Sequence, residues 1–414
     1  MRIPNIWTSI LVSAGAFLLA VLLLKYPAQG LESALRGISI WWDILFPALL
    51  PFFVISELLI GFGIVHFAGT LFDPLMRPLF RVPGIGGFIM AMGFASGYPV
   101  GARLTAQLWE QKLVTREEGE RLVAFTTSSD PIFLIGAVSV GFFHDAGLAV
   151  ILAITHYGTS ILVGLLMRYH GRGAVPTPLL SVEPGKKGSL LVRSFQAMHK
   201  ARLIDGRPTG TLLQQAVITS LRLSFVVGGL VVFFSVVIEL FTLAGIMNGF
   251  YASVQSALSL FHVPPAVSQS LVNGFFEVTL GAKSAGGAGQ DIPLVYKTAA
   301  AAFVLSWGGL SVHAQIVSLV QHTGMRYYPF FLARFIHAVL AMAATILLWN
   351  PLQPLRVWLV NESPVFMNDV QTSAAFASGI ASSGTIFAAV IGLLALLAFL
   401  RSMANVFVRN LTKW

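Results

Sequence analysis

The sequence predicts an all-α polytopic membrane protein made of two inverted repeats with broken or re-entrant helices. Three observations carry this. Of the 414 residues, 56% are hydrophobic and only 10% charged, against about a quarter charged in soluble domains. A chain so poor in charge cannot cover a water-facing surface, so lipid is its main solvent. The apolar runs are long and continuous rather than alternating, and inside lipid only helices or closed barrels satisfy the backbone. Finally, the segment 52–128 resembles the segment 234–306. The length allows roughly eight to eleven membrane segments of about 20 residues each.

The elements follow in order. Residues 6–24 form an apolar run after Arg2; at this length, and with Tyr26-Pro27 where a cleavage site would stand, the run reads as a retained span rather than a signal peptide. Continuous spans are expected at 44–64, 146–167, 219–246, 329–349 and 383–400. Four stretches between them, 82–102, 119–143, 264–285 and 298–321, are apolar but interrupted by Gly, Pro and polar residues, as re-entrant or broken helices would be. Thr115 and Glu118 make a capping box that starts a helix in water. The resulting organisation is an N-terminal helix (1–36), a first repeat (37–168), a basic loop (169–217), a second repeat (218–350), an external loop (351–382) and a C-terminal helix with a basic tail (383–414).

Lys and Arg set orientation. The loop 169–217 and the tail are basic and belong in the cytoplasm, and Arg77 and Arg81 place the loop near 66–86 there too. Segment 247–263 is uncharged and external. The net charge of +9 is thus read as topology, not nucleic-acid binding. The internal similarity pairs Glu57 with Glu239, Gly93 with Gly274, Gly101-Ala102-Arg103 with Gly281-Ala282-Lys283, and Thr126-Thr127-Ser128 with Val304-Leu305-Ser306. Span 219–246 leaves the cytoplasm whereas its partner 44–64 enters it, so the halves are upside-down relative to each other. Broken helices meeting between inverted repeats are a transporter architecture.

Ionisable groups inside lipid are costly and mark functional sites. Glu57, Glu239 and Asp130 are candidates for ion coupling, though a structural pair with a basic side chain also explains Glu57. Arg103 and Lys283, at matched positions, either snorkel or clasp an anion with two negative groups. The interrupted segments supply Ser96, Gly97 and Tyr98, then Thr127, Ser128 and Ser129, from the first half. Glu277, Thr279, Ser306, His313 and Gln315 come from the second. His156, His313 and His337 stand alone and read as packing histidines rather than metal ligands. No zinc spacing, nucleotide-binding glycine loop or catalytic constellation is present, and the chain has no cysteine. This argues against an enzyme, a metal, a cofactor and ATP-driven transport.

Phe94–Arg103, Glu118–Leu122, Pro131–Val138, His156-Tyr157 and Gly274–Gly281 together resemble the YlbJ-type sporulation integral membrane proteins, among the nucleoside-recognition or Gate-domain membrane proteins. The resemblance spans residues 40 to 350. It implies hairpins between inverted halves and a role in endospore formation, associated with carrying dipicolinate across the outer forespore membrane. Dipicolinate bears two carboxylates, which suits the Arg103/Lys283 reading; Asp130 departs from the small or neutral residue expected there. The expected function is therefore a secondary transporter of a small anionic solute, acting in a bacterial cytoplasmic or forespore membrane. A nucleoside carrier and a non-transporting spore-envelope assembly protein are the alternatives. Beyond lipid and solute no partner is implied, and self-association into a homo-oligomer stays open.

Overall fold

The computed structural model describes residues 6–178, 189–260 and 263–362. The expected span 383–400, the basic tail and most of the external loop fall outside these residues, as does part of the basic loop.

Helix α1 (Ile6–Lys25) turns by 105° into α2 (Pro27–Ser39), whose start is fixed by Pro27. A short π-helical stretch, Ile40–Leu45, leads into α3 (Phe46–Gly61). At Gly63, with φ of 77°, the chain bends by 82° into α4 (Ile64–Phe80). Next come α5 (Ile85–Ser96) and α6 (Tyr98–Glu110), the two arms of a hairpin broken at Gly97. Helix α7 (Arg116–Thr126) and a π-helical arm, Ile132–Phe142, form one broken helix, and α8 (Leu148–Met167) closes the first half.

The second half repeats this plan. After α9 (Leu190–Asp205), α10 (Thr209–Leu243) crosses the membrane and α11 (Ile246–Leu260) follows. Helices α12 (Ser268–Phe276) and α13 (Val278–Gly286) form the second hairpin, broken at Glu277. Helices α14 (Leu294–Trp307) and α15 (Gly309–Val320) form the second broken helix, α16 (Tyr327–Leu347) is the closing span, and α17 (Trp349–Glu362) follows. Four segments are individually long and apolar enough to cross a membrane: α8, α10, α14 with α15, and α16. Counting the two sharply bent pairs raises this to six among the described residues.

The halves run in opposite directions. Along the run from α2 through the π-helical stretch to the end of α3, Ser33 bonds Ser235, Trp41 bonds Ser224, and Gly61 lies against Leu212, so residue numbers rise along this run as they fall on α10. Along α8 and α16, His170 lies beside Arg326, the His156 carbonyl accepts from His337 at 2.8 Å, and Leu148 packs with Trp349 and Leu352. Both matched pairs are therefore antiparallel.

Two expectations need amendment. Helix α10 begins ten residues earlier than the apolar run. Its 35 residues rise about 52 Å, well beyond the roughly 30 Å hydrocarbon layer. The helix thus continues beyond the hydrocarbon layer over residues 209–218, which are not apolar enough to mark a span. The described part of the basic loop also contains α9, started by the Ser189 hydroxyl on the Val192 amide and ended by Gly206 at φ of 63°. At the turn into α10 the Arg207 guanidinium beside Asp205 holds that carboxyl below its ordinary range, against opposing burial.

The first turns of α7 differ from a solvated entry. The capping box forms, with the Thr115 amide donating to Glu118 at 2.9 Å, but Glu118 also takes the amide of Thr177 at 3.0 Å. Glu120 is buried and accepts from Arg326 at 2.8 Å and from His170 at 2.6 Å. Arg121 donates to the carbonyls of Arg81, His170 and Gly171. A polar belt with its own partners thus ties α7 to the loop after α8 and to the start of α16.

Candidate functional site

The interruptions meet at the centre of the molecule. Gly97 adopts φ of 90°, open to glycine, and a Cβ there would lie 2.9 Å from the Asp130 carboxylate. In the other half, a Cβ on Gly309 would lie 3.0 Å from the backbone of Phe276 and Val278. Each hairpin tip therefore abuts the broken helix of its own half. The matched glycines do the same work twice. Added Cβ atoms on Gly93 and Gly101 would meet Thr126 at 2.4 and 2.5 Å. Those on Gly274 and Gly281 would meet Val304 at 2.2 and 2.9 Å. Thr126 and Val304 are the residues that the internal similarity pairs.

The halves also cross-bond. Tyr98 donates its hydroxyl to the Leu305 carbonyl at 2.8 Å. His156 on α8 takes the Ser129 amide at 3.1 Å through Nε2, which leaves its proton on Nδ1, 2.8 Å from the Ser306 hydroxyl. Ser128 lies 2.9 Å from the same Nε2, and the Thr127 hydroxyl caps the Val123 carbonyl at 2.7 Å. Arg334, fully buried on α16, donates to the Thr127 carbonyl at 2.5 Å and to the Ser306 carbonyl. His313 bonds Tyr327 at 2.8 Å and the Trp307 carbonyl at 3.2 Å.

Against this core lies a cavity of about 40 Å³, whose mainly apolar wall carries the polar side chains of Tyr98, Asp130, Glu277, Thr279, Ser311 and Gln315. Both carboxylates begin a helical arm: Asp130 accepts the Phe133 amide at 2.8 Å and Glu277 the Leu280 amide at 2.8 Å. Both are buried. A volume of that size holds a few water molecules, so an organic solute requires the halves to part.

The structure thus draws Tyr98, Asp130, Glu277, Thr279 and Gln315 onto one cavity. It places Gly97, Thr127, Ser128, Ser129, Ser306 and His313 in the wall behind. Ser96 is buried beside the break, its hydroxyl without a hydrogen-bond partner among the described residues. Neither Arg103 nor Lys283 faces the cavity. Arg103 is closed by an ion pair with Glu57, and Lys283 lies on an exposed part of α13. Glu239 is likewise paired, with Arg36 at 2.6 Å, so both matched glutamates stand in ion pairs rather than on the cavity. Arg334 was not picked out from sequence. The signal was present, since a guanidinium within the run Tyr327–Leu347 obeys the same rule that marked Glu57.

A family model described as Gate, nucleoside recognition, matches residues 43–143, which contain the first hairpin and the first broken helix. Over 390 residues the chain is 40% identical to the sporulation integral membrane protein YlbJ of Bacillus subtilis (strain 168), covering 92% of each. The chain belongs to the YlbJ family of sporulation integral membrane proteins. It is also 24% identical over 170 residues to an uncharacterized protein of Alkalihalophilus pseudofirmus, covering 40% of this chain and 35% of that one. The YlbJ-family match extends well past the Gate region, so it takes in the second hairpin, the second broken helix and α16, which supply Glu277, Gln315 and Arg334.

Proposed function

We propose that the protein is a secondary carrier of a small polar solute, an anion such as dipicolinate, acting during endospore formation in the outer forespore membrane. The observation that carries this reading is the meeting of two inverted halves, each with a broken helix and a hairpin tip, around one cavity where the carboxylates of Asp130 and Glu277 stand among apolar side chains inside a membrane protein. The name of the Bacillus subtilis relative supports sporulation as the setting. The Arg103/Lys283 clamp has less support than the cavity itself, because Arg103 is engaged by Glu57.

A dicarboxylate entering this cavity meets Asp130 and Glu277, and like charges repel. Protonation of the two side chains or of the solute removes the repulsion, so the reading favours proton-coupled movement. The lining also suits a nucleoside: Glu277, Thr279, Ser311 and Gln315 offer the acceptors and donors that a sugar and a base use, and the Gate description names nucleoside recognition. Uptake into proteoliposomes separates the two. Dipicolinate is expected to accumulate only with an imposed pH gradient, and Glu277→Gln should lower its uptake at least about tenfold, a loss of about 1.4 kcal/mol. Uptake of uridine but not dipicolinate would replace the anion reading by the nucleoside one. Movement of neither would remove the carrier reading in favour of an assembly role.

A further inference from the structure

Two helix ends converge on one side chain at the centre of this protein. Helix α7 ends at Thr126 and α14 at Trp307, and both therefore aim carbonyl groups, the negative end of the helix dipole, into the space between the halves. Free carbonyls at the ends of interrupted membrane helices are the ligands from which carriers build sodium sites. Here the carbonyls of Thr127 and Ser306, one from each half, are both taken by the guanidinium of Arg334. That side chain has 0% exposure. An arginine stays charged in proteins, and here its two terminal nitrogens donate to one carbonyl from each break, at the negative ends of the two helices. His156 and His337 flank it, their rings 5.0 Å apart, and each is already held, one by serines at the two breaks and the other by the His156 carbonyl.

We propose that Arg334 is a tethered counter-cation: its guanidinium fills the cation position formed by the two half-helix ends, so the protein needs no free metal cation there. Its consequence for transport rests on the carrier reading, while the occupancy itself does not. Sodium then has no place in the coupling scheme at these carbonyls, and protons on the cavity carboxyls remain as the coupling species. The arginine also works as a clasp. It binds one break from each half, so neither helix end can rearrange without displacing it.

The full-length protein in detergent tests this by thermal unfolding. Wild type should melt at the same temperature in sodium chloride and in choline chloride of equal ionic strength. Arg334→Ala should melt lower. Millimolar guanidinium or sodium, but not choline, should raise its Tm by on the order of 3 °C or more, as a bound ligand does. Arg334→Lys, which keeps the charge with a shorter reach, should fall between the two and ignore sodium. A sodium-specific rise in wild type would overturn the proposal, and so would an Arg334→Ala protein with wild-type Tm and no cation response. If Arg334→Ala cannot be obtained folded, the wild-type titration and the lysine variant still decide. In proteoliposomes, wild-type uptake should be equal with sodium and with choline. Absence of any uptake would count against the carrier reading and leave the melting result standing.

Discussion

Glu57 and Arg103 show how a charge is tolerated in an apolar span. Their side chains are 15% and 16% exposed and bond each other, so removing one leaves the other desolvated and unpaired. Arg103→Ala is expected to destabilise by about 1–3 kcal/mol. Adding Glu57→Ala should recover part of that, with a coupling energy of about 0.5–3 kcal/mol; unfolding in detergent measures both. Strict additivity would mean the pair contributes nothing. The residue scale also shows what sequence reveals. Carboxylates within apolar runs are conspicuous, and Glu57, Glu239, Glu277 and Asp130 were all legible. Arg334 was legible by the same rule, as a charge within an apolar run; what the sequence did not show is that backbone carbonyls of the two breaks would bind it. The partner of Arg103 was open for the same kind of reason: sequence shows that a buried charge needs closing, not which neighbour the fold brings to it.

At the scale of elements, the hairpins were legible from glycine and proline, and their packing explains the spacing. Gly101 and Gly281 lie at matched positions where one helix arm touches the next backbone with no room for a methyl group. A Cβ on Gly281 would lie 2.2 Å from the Cα of Gly274. Gly281→Ala should therefore cost about 1–3 kcal/mol through overpacking, seen as a lower Tm. Gly158→Ala on α8, where nothing lies within 4 Å, should be neutral or slightly stabilising, since alanine favours helix. Equal effects at the two sites would remove the close-packing argument. The length of α10 was less legible, because hydrophobicity reports where a helix meets lipid and not where it stops. The buried belt at the start of α7 was hidden for a related reason: Glu120 and Arg121 look solvated until the partners that enclose them are known.

For the whole molecule, the opposed direction of the halves was readable because two signals agreed: the internal similarity and the placement of basic loops. The chain lacks cysteine, so single cysteines can map it without background. Lys112→Cys and Gly210→Cys should react with an impermeant maleimide only from the cytoplasmic side, and Gly249→Cys and Asp291→Cys only from the other. Labelling of positions 210 and 249 from one side would break the crossing of α10 and with it the inverted arrangement.

The pairing of Glu57 with Arg103 bears on electrical behaviour. A charge crossing the full membrane potential changes energy by about 2.3 kcal/mol per 100 mV. A carboxylate that travels with its own guanidinium adds nothing to that sum. Rocking of the first half, which holds both Glu57 and Arg103, therefore displaces no net charge at this pair, and voltage gains no handle on it. A current that accompanies turnover is then to be sought in the cargo, in protons, or in displacement of other charges such as Arg334.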